Sequence, residues 1–188
     1  MSRIYMIRHG KPAATWGQAS DGDPGLDETG QAQAEAAREA LFALPEPPRL
    51  VVSSPLRRCR ETALPTARAL GVDVVIDPRF GEVPTPAALA PEERPGWLRR
   101  AFAGRWSEIR GDLDYEAWRR AVTEALLDYP GAAVFSHYVA INAAVSVVTG
   151  RDEVLCFRPD HVSITVFETG DGKLWLAEQG REAETQVL

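Results

Sequence analysis

The sequence predicts a three-layer α/β/α sandwich around a mostly parallel sheet. Short apolar, β-branched runs alternate with helix-length amphipathic segments as far as Gly150. Strands alternating with helices build parallel sheets covered on both faces. Polar residues also stand where three of the strands end, at Arg8-His9, Ser53-Ser54 and Ser136-His137. Ligands of such sheets bind outside the carboxyl ends of the strands, so segments far apart in the chain point to one rim.

Each element has a local reason. Ile4-Tyr5-Met6-Ile7 is a short apolar run of a buried strand. A loop rich in Gly, Asp and Pro follows over Gly17–Gly25. Asp27 can then cap a helix whose first turn Glu28 favours, and the helix runs to about Leu44 with Ala34, Ala37, Leu41 and Leu44 on one stripe. Pro45, Pro47 and Pro48 end it. Leu50-Val51-Val52 is the second strand, and Ser53-Ser54-Pro55 reads as the capped opening of the next helix, which stops at Gly71. Val72–Ile76 is the third strand. The stretch Pro84–Arg110 is irregular and rich in proline, tryptophan and arginine. Asp112 can cap a further helix with Ala117, Trp118, Ala121, Val122, Ala125 and Leu126 on its apolar stripe. Ala132–Phe135 is the fourth strand, and a helix from about Tyr138 to Thr149 stops at Gly150. Ser163–Phe167 and Lys173–Ala177 form a hairpin turning at Gly170-Asp171-Gly172.

Composition narrows the function classes. The 188 residues suit one domain, residues 1–188, with a lid or insertion at about 83–111. The net charge of −6 weighs against nucleic acid as a partner, so any bound anion needs a local concentration of arginine. No stretch approaches the roughly 18 apolar residues of a membrane span, and the opening residues lack the apolar region of a signal peptide. Cys59 and Cys156 match no metal-ligand spacing and suit a reduced compartment, so a cytoplasmic location is expected.

Arg8-His9-Gly10 carries the first chemical signal. A histidine attacks phosphorus only with one ring nitrogen unprotonated, and neighbouring arginines favour that state by repelling the imidazolium. Arginine also matches phosphate geometry with paired donors. Of the adjacent Arg57 and Arg58, helix spacing lets only one face inward.

Four blocks in order now carry a resemblance. They are Arg8-His9-Gly10, Leu26-Asp27-Glu28-Thr29-Gly30-Gln31-Ala32-Gln33-Ala34, Ser53-Ser54-Pro55-Leu56-Arg57-Arg58-Cys59-Arg60-Glu61-Thr62-Ala63 and Val134-Phe135-Ser136-His137. Together they resemble the histidine phosphatase superfamily, also called the phosphoglycerate mutase-like family. The resemblance implies a phosphoglycerate mutase-like fold and a metal-independent phosphatase with no cofactor. His9 corresponds to the phosphorylated nucleophile, Arg8 and Arg58 to the phosphate-binding arginines, and His137 to the second histidine that donates to the phosphoryl group. A phosphomonoester also needs a general acid for its leaving oxygen. One branch of the family places an aspartate after the second histidine, where this chain has Tyr138. The other uses a glutamate after the third strand, which makes Glu82 the candidate, with Asp77, Glu92 and Glu93 in reserve.

The chain also departs from the mutase pattern. Lys11-Pro12 and Thr15-Trp16-Gly17 replace the usual Glu-Thr and Trp-Asn, and Val83-Pro84-Thr85-Pro86 replaces the segment that follows the mutase glutamate. These departures favour hydrolysis of a small phosphorylated substrate over a phosphomutase activity. A phosphoprotein phosphatase and a non-catalytic phospho-ligand binding domain remain as further alternatives, the latter with no use for the nucleophile His9. The particular substrate and the oligomeric state stay open. Over Pro91–Arg110, Arg94, Arg99, Arg100, Arg105 and Arg110 stand beside Trp97, Phe102 and Trp106. That segment is either a substrate-attracting lid or a surface helix whose Leu98, Phe102, Trp106 and Ile109 pack inward. Trp16, Trp118 and Trp175 read as core or edge residues.

Overall fold

The computed structural model describes residues 1–14, 22–90 and 92–184. Thr15-Trp16-Gly17, the first residues of the Gly17–Gly25 loop and Pro91 lie outside the described residues. In chain order the elements are β1 (Ser2–Arg8), α1 (Glu28–Phe42), β2 (Leu50–Ser53), α2 (Arg57–Leu70), β3 (Val74–Ile76), α3 (Arg94–Phe102), α4 (Tyr115–Leu126), β4 (Ala132–Ser136), α5 (Tyr138–Thr149), β5 (Ile164–Gly170) and β6 (Lys173–Glu178). The strands form one sheet in the order β3-β2-β4-β1-β5-β6. The pairs β2–β3, β2–β4 and β1–β4 are parallel, while β5 runs antiparallel to β1 and β6 antiparallel to β5.

Alternation along β1 decides which helices cover which face, because successive side chains of a strand point to opposite sides. Ile4 and Met6 pack with Val122, Ala125 and Leu126 of α4 and with Ala140, Ile141, Ala144 and Val145 of α5. Tyr5 and Ile7 pack with Leu41 of α1 and Cys59, Ala63 and Ala67 of α2. The result is the expected three-layer sandwich. A third cluster, outside these layers, gathers Val83, Trp97, Leu98, Trp106, Tyr115, Tyr138 and Val139.

Most elements form where local pattern puts them, and the exceptions have physical causes. Asp27 caps α1 by accepting the Gly30 N–H at 2.7 Å. α4 is capped by Asp114, whose carboxylate accepts the Ala117 N–H at 2.9 Å, and not by Asp112, whose carboxylate instead accepts the Ala87 N–H. The cap that counts is the one three residues before its donor. No side chain caps α2, whose first helical residue is Arg57; the Ser54 hydroxyl is committed elsewhere. β3 starts at Val74, two residues later than the apolar run suggests. The hairpin turns at Asp171 and Gly172, both at positive φ, as a two-residue turn requires. Over residues 94–110, Trp97, Leu98 and Trp106 are buried, Phe102 and Ile109 lie against them, and Arg99, Arg100, Arg105 and Arg110 face outward. No described helix is long and apolar enough to cross a membrane.

One contact between α1 and the segment after β1 governs the approach to the rim. A Cβ on Gly10 would lie 2.7 Å from the Gly30 carbonyl oxygen, and a Cβ on Gly30 would overlap the Lys11 carbonyl. The two backbones touch directly, so Gly10 is required for helix packing rather than for passage of a ligand. Gly30→Ala tests this by sign. Helix propensity alone favours alanine by about 1 kcal/mol, whereas overpacking costs about 1–3 kcal/mol. The expected outcome is a lowered denaturant midpoint; a raised midpoint would refute the contact.

Candidate active site

The order of the sheet assembles the rim. β4 lies between β1 and β2, so Arg8-His9, Ser136-His137 and Ser53-Ser54 end side by side. Backbone bonds continue the ladder past the strand ends, with His9 N–H on the Ser136 carbonyl and Ser54 N–H on the Phe135 carbonyl, both at 3.0 Å. Because β5 is antiparallel, its start shares this rim, with Ile164 opposite Ile7.

His9 is 6% exposed. Its Nδ1 lies 2.8 Å from the Gly10 carbonyl, which can only accept, so Nδ1 carries the hydrogen. The lone pair is then on Nε2, where the Nε–H of Arg58 points at 3.2 Å. Burial foremost, then His137, Arg58 and Arg8, push the His9 pKa well below its ordinary value, against the Gly10 hydrogen bond. The ring is therefore neutral, with its lone-pair nitrogen turned toward Arg58.

Arg58 is the inward member of its pair. It is 8% exposed and reaches His137 Nδ1 from Nη2 at 3.1 Å, whereas Arg57 bonds Glu61 on the surface. Arg60 is exposed as well. Arg8 donates from Nη1 to the Pro159 carbonyl at 3.0 Å and lies 5.0 Å above the centre of the Tyr138 ring. Its Nε is buried without a partner among the described residues. Burial draws the Arg8 pKa down to about 10, with Tyr138, Glu82 and Asp160 opposing, so the group stays charged at neutral pH.

His137 is fully buried. Its Nε2 lies 2.8 Å from Ser54 Oγ and 3.4 Å from Cys59 Sγ. Burial first, then Arg58 and Arg8, hold it neutral. Glu82 follows a single 3₁₀ turn, Pro78–Phe80, whose Phe80 is buried and whose Phe80 carbonyl accepts the Ser136 hydroxyl at 2.7 Å. That tie brings Glu82 Oε2 to 3.6 Å from His137 Nδ1 and 4.0 Å from Arg58 Nη2, while Oε1 accepts the Val83 N–H. Burial raises the Glu82 pKa above the ordinary carboxyl value, against the pull of Arg58, the Val83 N–H and Arg8.

The expected residues Arg8, His9, Arg58, Glu82 and His137 thus meet in one place. The reserve carboxylates do not join them. Asp77 is held by Arg79 and by the Tyr129 hydroxyl, and Glu92 and Glu93 are exposed at the start of α3. Tyr138 forms the floor under Arg8 and meets Phe102 of α3 with ring centres 6.2 Å apart. Among the described residues no group of three histidine, cysteine or carboxylate side chains is spaced to hold a metal ion.

Thr62 and His161 have no assigned role in the sequence reading, while Ser54 is placed at the rim there without a partner. Thr62 accepts the Gly10 N–H at 3.0 Å and donates to the Arg58 carbonyl, tying together the segments that carry His9 and Arg58. Ser54 serves His137 instead of a helix cap. His161 stands with its ring 5.9 Å from that of His9. The signal for His161 was the direction of the strand after it, since an antiparallel strand starts where its parallel neighbours end. Chemically, two guanidinium groups and two neutral imidazoles surround one free ring nitrogen, with a protonatable carboxyl alongside. Guanidinium donors of this kind match the geometry of a tetrahedral anion.

Comparison with known proteins places the chain in a family. Residues 4–181 match the model of the histidine phosphatase superfamily (branch 1). A bifunctional protein of Mycobacterium tuberculosis is 31% identical over 156 residues, which are 82% of this chain and 37% of that protein. The chain therefore spans less than two fifths of that relative's length. Glucosyl-3-phosphoglycerate phosphatase of the same species is 39% identical over 82 residues, 43% of this chain and 36% of that enzyme. A solved mycobacterial glucosyl-3-phosphoglycerate phosphatase in complex with inorganic phosphate shares the fold, with a TM-score of 0.72 over 99% of this chain and 100% of that one at 22% identity. The chain belongs to branch 1 of the histidine phosphatase superfamily.

Proposed function

We propose that the protein hydrolyses phosphomonoesters through a phosphohistidine on Nε2 of His9. The observation that carries this reading is the Nδ1–H of His9 fixed on the Gly10 carbonyl, which leaves Nε2 as the lone-pair atom among Arg8, Arg58 and His137. The Nε2 lone pair attacks phosphorus in line, forming the N–P bond as the bond to the leaving oxygen breaks. Glu82, whose pKa burial raises against the pull of Arg58, the Val83 N–H and Arg8, in its protonated form gives a proton to that oxygen. Water then attacks phosphorus, Glu82 as carboxylate takes the proton, the N–P bond breaks and phosphate leaves.

The neighbouring groups have matching duties. The Arg58 N–H aimed at His9 Nε2 turns to a phosphoryl oxygen once phosphorus occupies that place, and the unpaired Nε–H of Arg8 supplies another donor. In this structure Arg58 Nη2, which can only donate, faces His137 Nδ1 at 3.1 Å, so Nδ1 accepts and Nε2–H donates to Ser54 Oγ. When Arg58 turns to a phosphoryl oxygen, His137 changes tautomer: Nδ1–H donates to the phosphoryl group and the Ser54 hydroxyl donates to Nε2. The buried positive groups balance the phosphoryl charge, so the reaction needs no metal ion. The mycobacterial relative named for dephosphorylating a phosphoglycerate derivative supports a small phosphorylated substrate.

Two experiments test this. Alkaline quenching of a reaction with phosphorus-labelled substrate should leave acid-labile label on His9, and His9→Ala should abolish both label and turnover. Turnover should survive exhaustive chelation. Label on another residue, or rescue by magnesium after chelation, would overturn the mechanism.

Glu82→Gln should slow hydrolysis of an alkyl phosphate by about 10²–10⁴-fold, the usual contribution of a general acid. The rate with para-nitrophenyl phosphate, whose leaving group hardly needs a proton, should change far less. The pH profile supplies the sign. The acid is active below the raised Glu82 pKa, so the alkyl phosphate rate falls as pH rises through it, and Glu82→Gln removes that limb. Equal effects of the substitution on both substrates would dismiss Glu82 as the acid.

A further inference from the structure

The chain contains three histidines, and all three converge on one point of the rim. The ring of His9 lies 5.4 Å from that of His137 and 5.9 Å from that of His161. His137 has a role in the proposed reaction, whereas His161, half-buried on the other side, has none there. Neither of its ring nitrogens bonds to any of the described residues; its only hydrogen bond is from its backbone N–H to Asp160 Oδ1.

The backbone that carries His161 is held in an unfavourable shape. Val162 has φ of +53°. A β-branched residue rarely adopts this left-handed conformation, and such outliers persist only where the surroundings over-determine them. The other non-glycine residue at positive φ among the described ones is Asp171, in the hairpin turn where that shape is favoured. The surroundings of Val162 are the site itself. Its N–H bonds the Arg8 carbonyl at 3.0 Å, the Arg8 N–H bonds the Ser163 carbonyl at 3.3 Å, and the Ser163 N–H bonds the Asp160 carbonyl at 3.1 Å. The same Arg8 reaches back to the Pro159 carbonyl with its guanidinium. The turn is thus clamped to the strand end that presents His9, and His161 sits at its tip.

Charged groups of both signs surround His161 at longer range. Arg8, Lys11, Asp160 and Asp27 act on it, while Glu82 lies against Arg58 and His137. Arg8 stands between the two sets. Burial foremost, with Arg8 and Lys11 against Asp160 and Asp27, draws the His161 pKa down to about 4. The ring is then a neutral imidazole with one N–H to donate.

We propose that His161 is a third phosphoryl-binding histidine, donating a ring N–H to a phosphoryl oxygen from the turn that is clamped to the end of β1 beside His9. The inference rests on the phosphohistidine reading of His9. Its ligand is any dianionic phosphoryl group, inorganic phosphate included. Bound between Arg8 and His161, that group would be held from the side that Arg58 and His137 leave open.

Inorganic phosphate binding by the full chain, measured by titration calorimetry, provides a test that needs no turnover. His161→Ala should weaken phosphate binding about tenfold or more, the range for one hydrogen bond to a charged group. It should lower kcat/KM for alkyl and aryl phosphates by a similar factor, unlike Glu82→Gln. Label should still reach His9. His161→Asn and His161→Gln keep an N–H donor, and at least one should recover most of the phosphate affinity. Phosphate binding by His161→Ala within about twofold of wild type, well short of that range, would overturn the proposal. Equal weakening in all three variants together with a lowered unfolding midpoint would also overturn it, since His161 would then only hold the turn. A wild-type chain that binds phosphate but fails the labelling experiment would remove the reading beneath the proposal while leaving the anion site intact. A wild-type chain that binds no phosphate removes both.

Discussion

Arg8 and Arg58 are buried within reach of the same imidazole in a chain of net negative charge, and the rest of the cavity answers to that burial. A buried cation is costly unless partners surround it. Here carbonyls, ring nitrogens and an aromatic face do so: Pro159 and the Tyr138 ring for Arg8, His9 and His137 for Arg58. Burial foremost, with the two guanidinium groups adding to it, keeps both histidines from taking a proton cheaply, and both are held neutral. The carboxyl of Glu82 is the one acidic group close to Arg58, and at 4.0 Å it is too distant to neutralise it as a tight pair. The cavity is left short of negative charge, a state that a dianion relieves.

Sheet topology explains how residues from five distant segments come together without long loops. Parallel strands β1, β2 and β4 deliver their carboxyl ends to one rim, and the antiparallel β5 delivers its start there. The two faces of the sheet take no part in chemistry and are filled with apolar side chains from paired helices. Stability and function are therefore divided along the strands. The apolar stretch Ile4–Ile7 belongs to the core, and the next two residues belong to the site.

What the sequence made legible follows the range of the forces involved. The β1 alternation, the α1 stripe and the Gly150 stop depend on neighbours a few residues away, and they appear where expected. Helix spacing allowed only one of Arg57 and Arg58 to face inward, and the resemblance to the family chose Arg58. Glu82 could be named only by a chemical requirement joined to a family pattern, since its local sequence resembles any loop carboxylate. Ser54 and Asp112 misled for one reason: each has cap chemistry, and tertiary partners, His137 and the Ala87 N–H, had prior claim on it. His161 carried no local signal at all. Its place depends on a strand reversing direction beside β1, and that is a property of the whole sheet.

The contrast between Asp77 and Glu82 shows why one segment yields both a structural and a chemical carboxyl. Five residues apart, both are shielded from water, and burial pushes each pKa upward. At Asp77 the push is outweighed by hydrogen bonds from Arg79 and Tyr129, so the group stays ionised and locks the 3₁₀ turn. At Glu82 one backbone N–H and a guanidinium at 4.0 Å are too little, and the push prevails. A carboxyl whose pKa is raised by burial holds its proton to higher pH than an ordinary one, the property a general acid requires. The difference lies in the number and closeness of the donors, and the Phe80 carbonyl that receives the Ser136 hydroxyl sets it. That single bond anchors the end of the turn to β4, leaving Asp77 facing its arginine and carrying Glu82 over the rim toward His137.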